Sequence, residues 1–200
     1  MKKFFLVLLC ALFFTACDKP QSVSGFTPFQ VGEKLVLQDV LNTQNITLVR
    51  VENGFVIEGE KRGILFDIFA TFCPPCQKEA PHLMGFANAN QEAFKLIGLI
   101  TFEEVSNEYV VENFIKKYGG YYFISNSAQN TRLIRQILRD ISYTKSLQIP
   151  FKVVLKEGIY QPLTDNLEPK STQKNLFWLG GVSVEMIAKD FRQIFKNISF

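Results

Sequence analysis

Two cysteines separated by two prolines, Cys73-Pro74-Pro75-Cys76, are the residues of this chain best suited to chemistry. They follow an apolar run at 64–69, so the stretch ILFDIFATFCPPCQKEAP reads as a strand, a tight connection and a helix that opens on the pair. Sulfurs at this spacing can close a disulfide and open it again. A helix N-terminus supplies partial positive charge and free backbone N–H groups. Both favour thiolate over thiol at Cys73. The thiolate is the attacking species in disulfide exchange, so the segment points to redox chemistry. Pro74 and Pro75 suit the first helical turn, because the N–H groups they lack would have no helical partner there. Neither can donate to the Cys73 sulfur, so the remaining N–H groups of the turn must do that.

The elements that hold the pair can be read from periodicity. The run 64–69 is apolar except for Asp67, as expected of a strand covered on both faces. A helix over 73–88 places Cys76, Ala80, Leu83 and Ala87 at helical spacing, and Pro81 inside it is expected to kink it. Before the pair come strands at 34–40 and 46–51, a hairpin through Asn42-Thr43-Gln44-Asn45, and a third strand at 55–58. After it come a strand at 94–101, a helix at 107–118 ended by Gly119-Gly120, a strand at 121–124 and a helix at 128–141. Segments 151–156 and 159–163 form a hairpin through Glu157-Gly158, 164–178 is expected to be mostly irregular, and 183–196 is a closing helix. Strand, helix and strand in alternation, then a hairpin and a helix, predict an α/β fold with a mixed sheet.

Four cysteines are present, and two can be assigned to export. Met1-Lys2-Lys3 is basic, 4–14 is unbroken apolar sequence, and Thr15-Ala16-Cys17 follows: a secretory signal over 1–16. The apolar run is shorter than the roughly 20 residues of a membrane-spanning helix. Phe-Thr-Ala-Cys resembles a bacterial lipobox with Cys17 as the lipidated first residue, although Phe14 stands where Leu is usual. Cys10 leaves with the signal, so Cys73 and Cys76 become the two thiols of the mature chain, in an oxidising compartment. Asp18, next to Cys17, is in some bacteria the residue that retains a lipoprotein in the inner membrane. Residues 17–26 read as a polar tether, no longer than about 30 Å when extended. Residues 27–200 suit one domain, with no internal repeat. Loss of Lys2 and Lys3 takes the formal charge from +3 to +1, so nucleic acid is not an expected partner.

The chain resembles the TlpA/ResA branch of membrane-tethered thiol–disulfide oxidoreductases. FATFCPPCQKEAP is close to that branch's WATWCxPCxxExP, and Ile149-Pro150 precedes an apolar strand and a glycine turn where the family places a cis-proline facing the cysteines. The resemblance implies a thioredoxin-like fold, with a central mixed sheet flanked by helices, an N-terminal β-hairpin extension and a helical insertion before the cis-proline. It implies that exposed Cys73 attacks a target disulfide and that Cys76, more buried, releases the target. Asp67 matches a buried acid beneath the second cysteine, suited to accept the Cys76 proton; the alternative is a strand-end Asp that reaches water. Glu79 matches the family's glutamate, near enough to tune the cysteines or touch the client, unless it is merely a first-turn acid favoured by the helix dipole. Ile149 could pair its backbone with an extended client. Phe72, Pro74, Pro75, Ile149 and Pro150 are therefore the expected client contacts. Phe69 and Phe72 replace two usual Trp residues, and Gln148 and Phe151 replace a common Gly and Thr. His82 is expected at the surface and Trp178 in the core or, as the alternative, at a client contact.

The same resemblance implies disulfide-bearing client proteins, with apocytochrome c among them. It also implies a membrane electron donor of the CcdA or DsbD kind and a monomer anchored by lipid at the periplasmic face of a bacterial membrane. No cofactor beyond the redox disulfide and no metal are expected. A DsbA-like oxidant would use the same cysteines in the opposite direction: about −120 mV for DsbA against about −270 mV for thioredoxin is a gap of about 7 kcal/mol. Sequence does not fix the direction, but Asp67, the tether and the lack of His between the cysteines favour the reductant. A Sco-type copper protein uses a three-residue gap and a distant His, whereas here the gap is two and His82 follows on the same helix. A zinc site lacks its other ligands. A thiol peroxidase would need an Arg-containing pocket, and no such motif surrounds Cys73.

Overall fold

The computed structural model describes residues 26–196, 198 and 199. The expected signal, Cys17 and nearly all of the expected tether lie outside the described residues. The first element is an antiparallel sheet of β1 (Lys34–Gln38), β2 (Asn45–Arg50) and β3 (Phe55–Ile57), in that order. In β1 the burial alternates, with Leu35 and Leu37 inward and Lys34, Val36 and Gln38 outward, the period of two that a half-covered strand imposes. The extension thus holds the expected hairpin and the third strand that follows it.

The central unit begins with β4 (Gly63–Phe69), every residue of which is buried. Helix α1 (Pro74–Ala89) follows, then β5 (Phe94–Ile100), parallel to β4. Pro81 lies within α1, which runs through it. The helix expected at 107–118 is α2 (Asn107–Val110), a π turn (Val111–Ile115) and α3 (Lys116–Tyr118). The wider turn lets Val110, Phe114 and Ile115 all reach the core, which sequence periodicity does not reveal. Ser106 caps the start by accepting from the Tyr109 N–H at 3.2 Å, and Gly119, at φ 71°, ends it in the left-handed conformation glycine supplies.

Next come β6 (Phe123–Ser125), parallel to β5, then α4 (Asn130–Asp140), β7 (Phe151–Lys156) and β8 (Ile159–Tyr160). The stretch 164–178 is mostly irregular, as expected, and is interrupted by the two-residue strands β9 (Leu163–Thr164), β10 (Lys174–Asn175) and β11 (Trp178–Leu179). Helix α5 (Val184–Ile194) closes the fold, capped by Ser183. Among the described residues the mixed sheet runs β11–β7–β4–β5–β6, with β8 also paired to β7, and β7 antiparallel to β4. A parallel β4–α1–β5 unit, an antiparallel β7–β8 hairpin and a final helix make this a thioredoxin-like fold.

The sheet separates two apolar cores. On one face Leu65, Phe69, Cys76, Leu83, Phe114, Val154, Phe191 and Trp178 pack together under α1 and α5. On the other, Phe66, Ile68, Phe151, Val153, Leu133 and Ile137 pack with Leu48 and Phe55 of the extension. Alternation along β4 and β7 therefore puts Asp67 and Lys152 on the α1 face, where the cysteines lie.

Candidate active site

Cys73 is the N-cap of α1, and Pro74 and Pro75 are its first helical residues. Cys73 and Cys76 are joined as a disulfide, with their Cα atoms 5.3 Å apart. The Cys76 N–H donates to the Cys73 sulfur at 3.4 Å, so a turn N–H beyond the two prolines serves this sulfur. Cys73 is only 5% exposed and Cys76 1%. The expected exposure of Cys73 is therefore corrected for the oxidised form: Phe72, Pro74 and Pro75 stand exposed around a recessed sulfur.

The loop before the pair is pinned by residues that sequence reasoning missed. The Glu103 carboxylate accepts from both the Thr71 N–H and its hydroxyl, the latter at 2.6 Å. Gln77 of α1 donates to the Thr71 carbonyl at 2.7 Å. Glu103 follows β5, so the ends of two parallel strands fix where α1 begins. The Ile149–Pro150 peptide is cis. Ile149 is half-buried and packs against the core that contains both cysteines. Pro150 is itself buried, and its carbonyl accepts from the Gly180 N–H at 2.8 Å. Of the expected client contacts, Phe72, Pro74 and Pro75 are exposed, Ile149 is half-buried and Pro150 is buried.

On the same face of the sheet as the pair lies a charged cluster. Asp67 of β4 is directly opposite Lys152 of β7 in the sheet, and Trp178 of β11 is opposite Lys152 on the other side. Lys152 is fully buried, and its ammonium lies 3.3 Å from Asp67 Oδ1 and in direct contact with Glu79 Oε1. The Asp67 contact is an ion pair without hydrogen-bond alignment. The Tyr122 hydroxyl donates to Asp67 Oδ2 at 3.1 Å. Gly98, opposite Asp67 on β5, makes this approach possible: a Cβ there would meet the Tyr122 ring at 2.9 Å. Glu79 Oε2 accepts from the Val182 N–H at 3.3 Å, which joins α1 to the entry of α5.

Burial is the main cause that pushes Glu79 up from 4.5 to about 7; Lys152 opposes the rise and Asp67 adds to it. Burial pulls Lys152 down, but the two carboxylates outweigh it and hold the ammonium above its ordinary value. Tyr122 is pushed well up, by burial first and then by Asp67.

Two expectations are settled in the same place. Asp67 does not reach water, being 1% exposed. Glu79 is no dipole-favoured surface acid, since it is buried against Lys152. Lys152 was missed altogether. Its signal was a lone Lys in the apolar strand FKVVL two residues after Pro150. His82 is exposed and Trp178 is fully buried, its indole N–H donating to the Thr164 carbonyl at 3.0 Å. Among the described residues no group of three His, Cys, Asp or Glu side chains could hold a metal ion.

Neither a family model nor a curated protein sequence matches this chain. Among solved structures it is similar to StoA from Bacillus subtilis, at 18% identity and a TM-score of 0.49, over 78% of this chain and 95% of that one. It is also similar to a thiol:disulfide interchange protein of the thioredoxin family from Chlorobium tepidum, at 17% identity and a TM-score of 0.49, over 86% of this chain and 98% of that one. The thioredoxin domain of a thiol-disulfide oxidoreductase from Bacteroides vulgatus is similar at 13% identity and a TM-score of 0.48, over 85% of this chain and 99% of that domain.

Proposed function

We propose that this protein is a thiol–disulfide oxidoreductase that reduces disulfides in client proteins. The observation that carries the reading is the Cys73–Cys76 disulfide at the head of α1, with the cis Ile149–Pro150 segment packed on the same core. In the reducing direction the Cys73 thiolate attacks one client sulfur. A Cys73–client disulfide forms, and the second client sulfur leaves as a thiolate that takes a proton from water. Cys76 then loses its proton and attacks the Cys73 sulfur. The Cys73–Cys76 bond forms, the mixed bond breaks, and the first client sulfur leaves with its electron pair. The client gains two electrons and the protein loses two. Exposed Phe72, Pro74 and Pro75 supply an apolar rim for a client segment.

The reading extends to place and partners. The lipobox-like end of the leader supports lipidation at Cys17, and the short tether that follows holds the domain at the periplasmic face of a bacterial membrane. A CcdA- or DsbD-type membrane donor returns electrons to the pair, and apocytochrome c is one client. The pair itself is the redox group, with no other cofactor. Cys73→Ser should abolish insulin reduction while the protein stays folded. The midpoint potential, measured against glutathione, should lie below about −200 mV, and a value near about −120 mV would overturn the reducing direction.

A further inference from the structure

In the sheet, β5 and β6 lie on the side of β4 away from the cis-proline and β7. Where they end, a cleft of about 710 Å³ opens between residues 101–105 and 126–128. Phe102 lines it and is 58% exposed, as is Phe72 beside Cys73. The Phe102 backbone is left-handed, at φ 64°, a conformation that a bulky side chain adopts only under strain. No burial of the ring offsets that strain. The next residue, Glu103, is the one that clamps Thr71. The charged walls of the cleft are acids, Glu103 and the exposed Glu104.

The cleft continues through Asn126 and Ser127 into a second, of about 360 Å³, whose far wall is Val36 and Gln38 of β1. Asn126 donates to the Val105 carbonyl at 2.7 Å and to Asn107 Oδ1 at 3.2 Å, so the passage between the two has a fixed floor. At its far wall β1 offers a backbone edge. The Asp39 N–H donates to the Gln44 carbonyl, toward β2, whereas the Val40 N–H donates the other way, to the Ile124 carbonyl at 2.9 Å. Backbone groups alternate in side along a strand, so Val36 faces as Val40 does. Asp39 bridges Ser125 in antiparallel sense, and β6 ends at Ser125. Val36 therefore lies past the end of β6, at the end of the sheet where β4 delivers Cys73. Among the described residues no strand pairs with that edge of Val36. β6 is two strands from β4, about 10 Å at ordinary spacing, which about three extended residues span.

Resting on the oxidoreductase reading, we propose that this groove is a second arm of the client site, in which the client chain leaves its disulfide at Cys73, passes over Phe102 and Glu104, and adds as a strand to the free edge of β1. The occupant is an extended client segment with an apolar side chain near its cysteine and Lys or Arg beyond it. Phe102 and Phe72 receive the apolar side chain, and exposed Glu104 receives the basic one. Val36 supplies one N–H and one carbonyl to the added strand. Strand addition draws its affinity from backbone bonds, so it accepts varied clients, and the acids of the groove select among them by charge. Phe102 and Glu104 are thus specificity residues, on the opposite side of the cysteines from the cis-proline.

The test compares cystine peptides as substrates of the full reduced protein: a peptide alone, the same peptide with a short arm of alternating Val and Lys beyond one cysteine, and that arm N-methylated at alternate residues. The arm should lower KM about tenfold with kcat retained, and N-methylation should remove the gain. Glu104→Lys should lose the gain and favour instead an arm of alternating Val and Glu. Phe102→Gly should raise KM for the arm peptide without lowering the unfolding midpoint, because glycine adopts the left-handed conformation freely. As a readout apart from turnover, the arm without its disulfide should slow hydrogen exchange at the Val36 amide. Equal KM with and without the arm, or a gain that survives N-methylation, overturns the inference. Protection of Val36 that needs no peptide and rises with protein concentration also overturns it, since the edge then belongs to a second copy of the chain. A protein that reduces neither peptide overturns the oxidoreductase reading instead, and Val36 exchange with the arm alone then decides whether the groove binds.

Discussion

Among the described residues two buried charge clusters lie one on each face of the sheet, and they are built differently. On the face covered by the extension and α4, Arg50 of β2 pairs with Asp140, the last residue of α4. Arg50 also donates to the Gly54 carbonyl, while Gln136 and Tyr160 donate to Asp140 at 2.7 and 3.2 Å. One cation meets one anion, and neutral groups fill most of the remaining positions. On the α1 face one cation, Lys152, meets two anions. The two buried side-chain polar atoms without a hydrogen bond among the described residues fall one in each cluster, Arg50 Nε and Asp67 Oδ1. Imperfect bonding is therefore shared, and charge balance is what differs. The balanced cluster fastens the extension to the domain. The unbalanced one lies on the face that carries the cysteines, and burial raises one of its acids, Glu79, to about 7.

Removing the cation from each cluster gives the largest contrast. Lys152→Met leaves two carboxylates facing each other in the core, and breaking a buried pair costs about 3–5 kcal/mol. The upper end is expected at pH 8, with part recovered at pH 5.5, where Glu79 can take a proton. Arg50→Met should cost about 3 kcal/mol, since Asp140 retains two neutral donors. Urea unfolding of the oxidised variants at the two pH values measures both. Against a total stability of about 5–15 kcal/mol, either loss is large. If Lys152→Met proves no more damaging than Arg50→Met at pH 8, the claim of unbalanced charge fails.

A second difference lies in the pH dependence of the wild-type protein. Glu79 has a folded value of about 7 against an ordinary 4.5. Between those values the folded state holds a proton that the unfolded state has released. Stability therefore falls as pH rises through that window, then levels above it. The shift corresponds to about 3 kcal/mol at most. Glu79→Gln should flatten this slope in thermal or urea unfolding of the oxidised form, whereas Asp140→Asn should lower stability and leave the slope in place. A slope unchanged by Glu79→Gln would mean that another group titrates in its stead.

The sequence disclosed the parts of the α1 face unevenly. The run ILFDIF announced a central strand because no residue but Asp67 breaks its apolar character, and Cys73-Pro74-Pro75-Cys76 announced both a helix start and a redox pair. Those are local signals. Lys152 carried none of comparable strength, because a lysine in a strand usually marks an exposed position. Its burial follows from three distant residues, Asp67, Glu79 and Trp178, that close around it only in the folded sheet. Glu103 was missed for the same reason: its partner Thr71 is 32 positions away and joined to it only across parallel strand ends. The π turn in 111–115 escaped because its extra residue mimics an ordinary helical phase slip. Pairings between far-apart polar residues are set by topology, so they become visible only once the strand order is known.

The smallest effect is also the most discriminating, because each cluster carries a tyrosine hydroxyl on its aspartate. Tyr122 donates to Asp67 at 3.1 Å and Tyr160 to Asp140 at 3.2 Å. Replacing either tyrosine by Phe keeps the ring and removes one hydrogen bond, at a cost of about 1 kcal/mol in each case. The consequences for protonation should nevertheless diverge. Without the Tyr122 hydroxyl, Asp67 leans harder on Lys152, and Lys152 then does less to hold Glu79 ionised. The infrared midpoint of Glu79 in the oxidised protein should therefore rise slightly in Tyr122→Phe. Tyr160→Phe acts on the opposite face of the sheet, where Asp140 shares no cation with Glu79, and should leave that midpoint where it was. Equal shifts in the two variants would show that Glu79 responds to general loosening of the fold, and a shift confined to Tyr122→Phe would locate its control in the lysine that the two acids share.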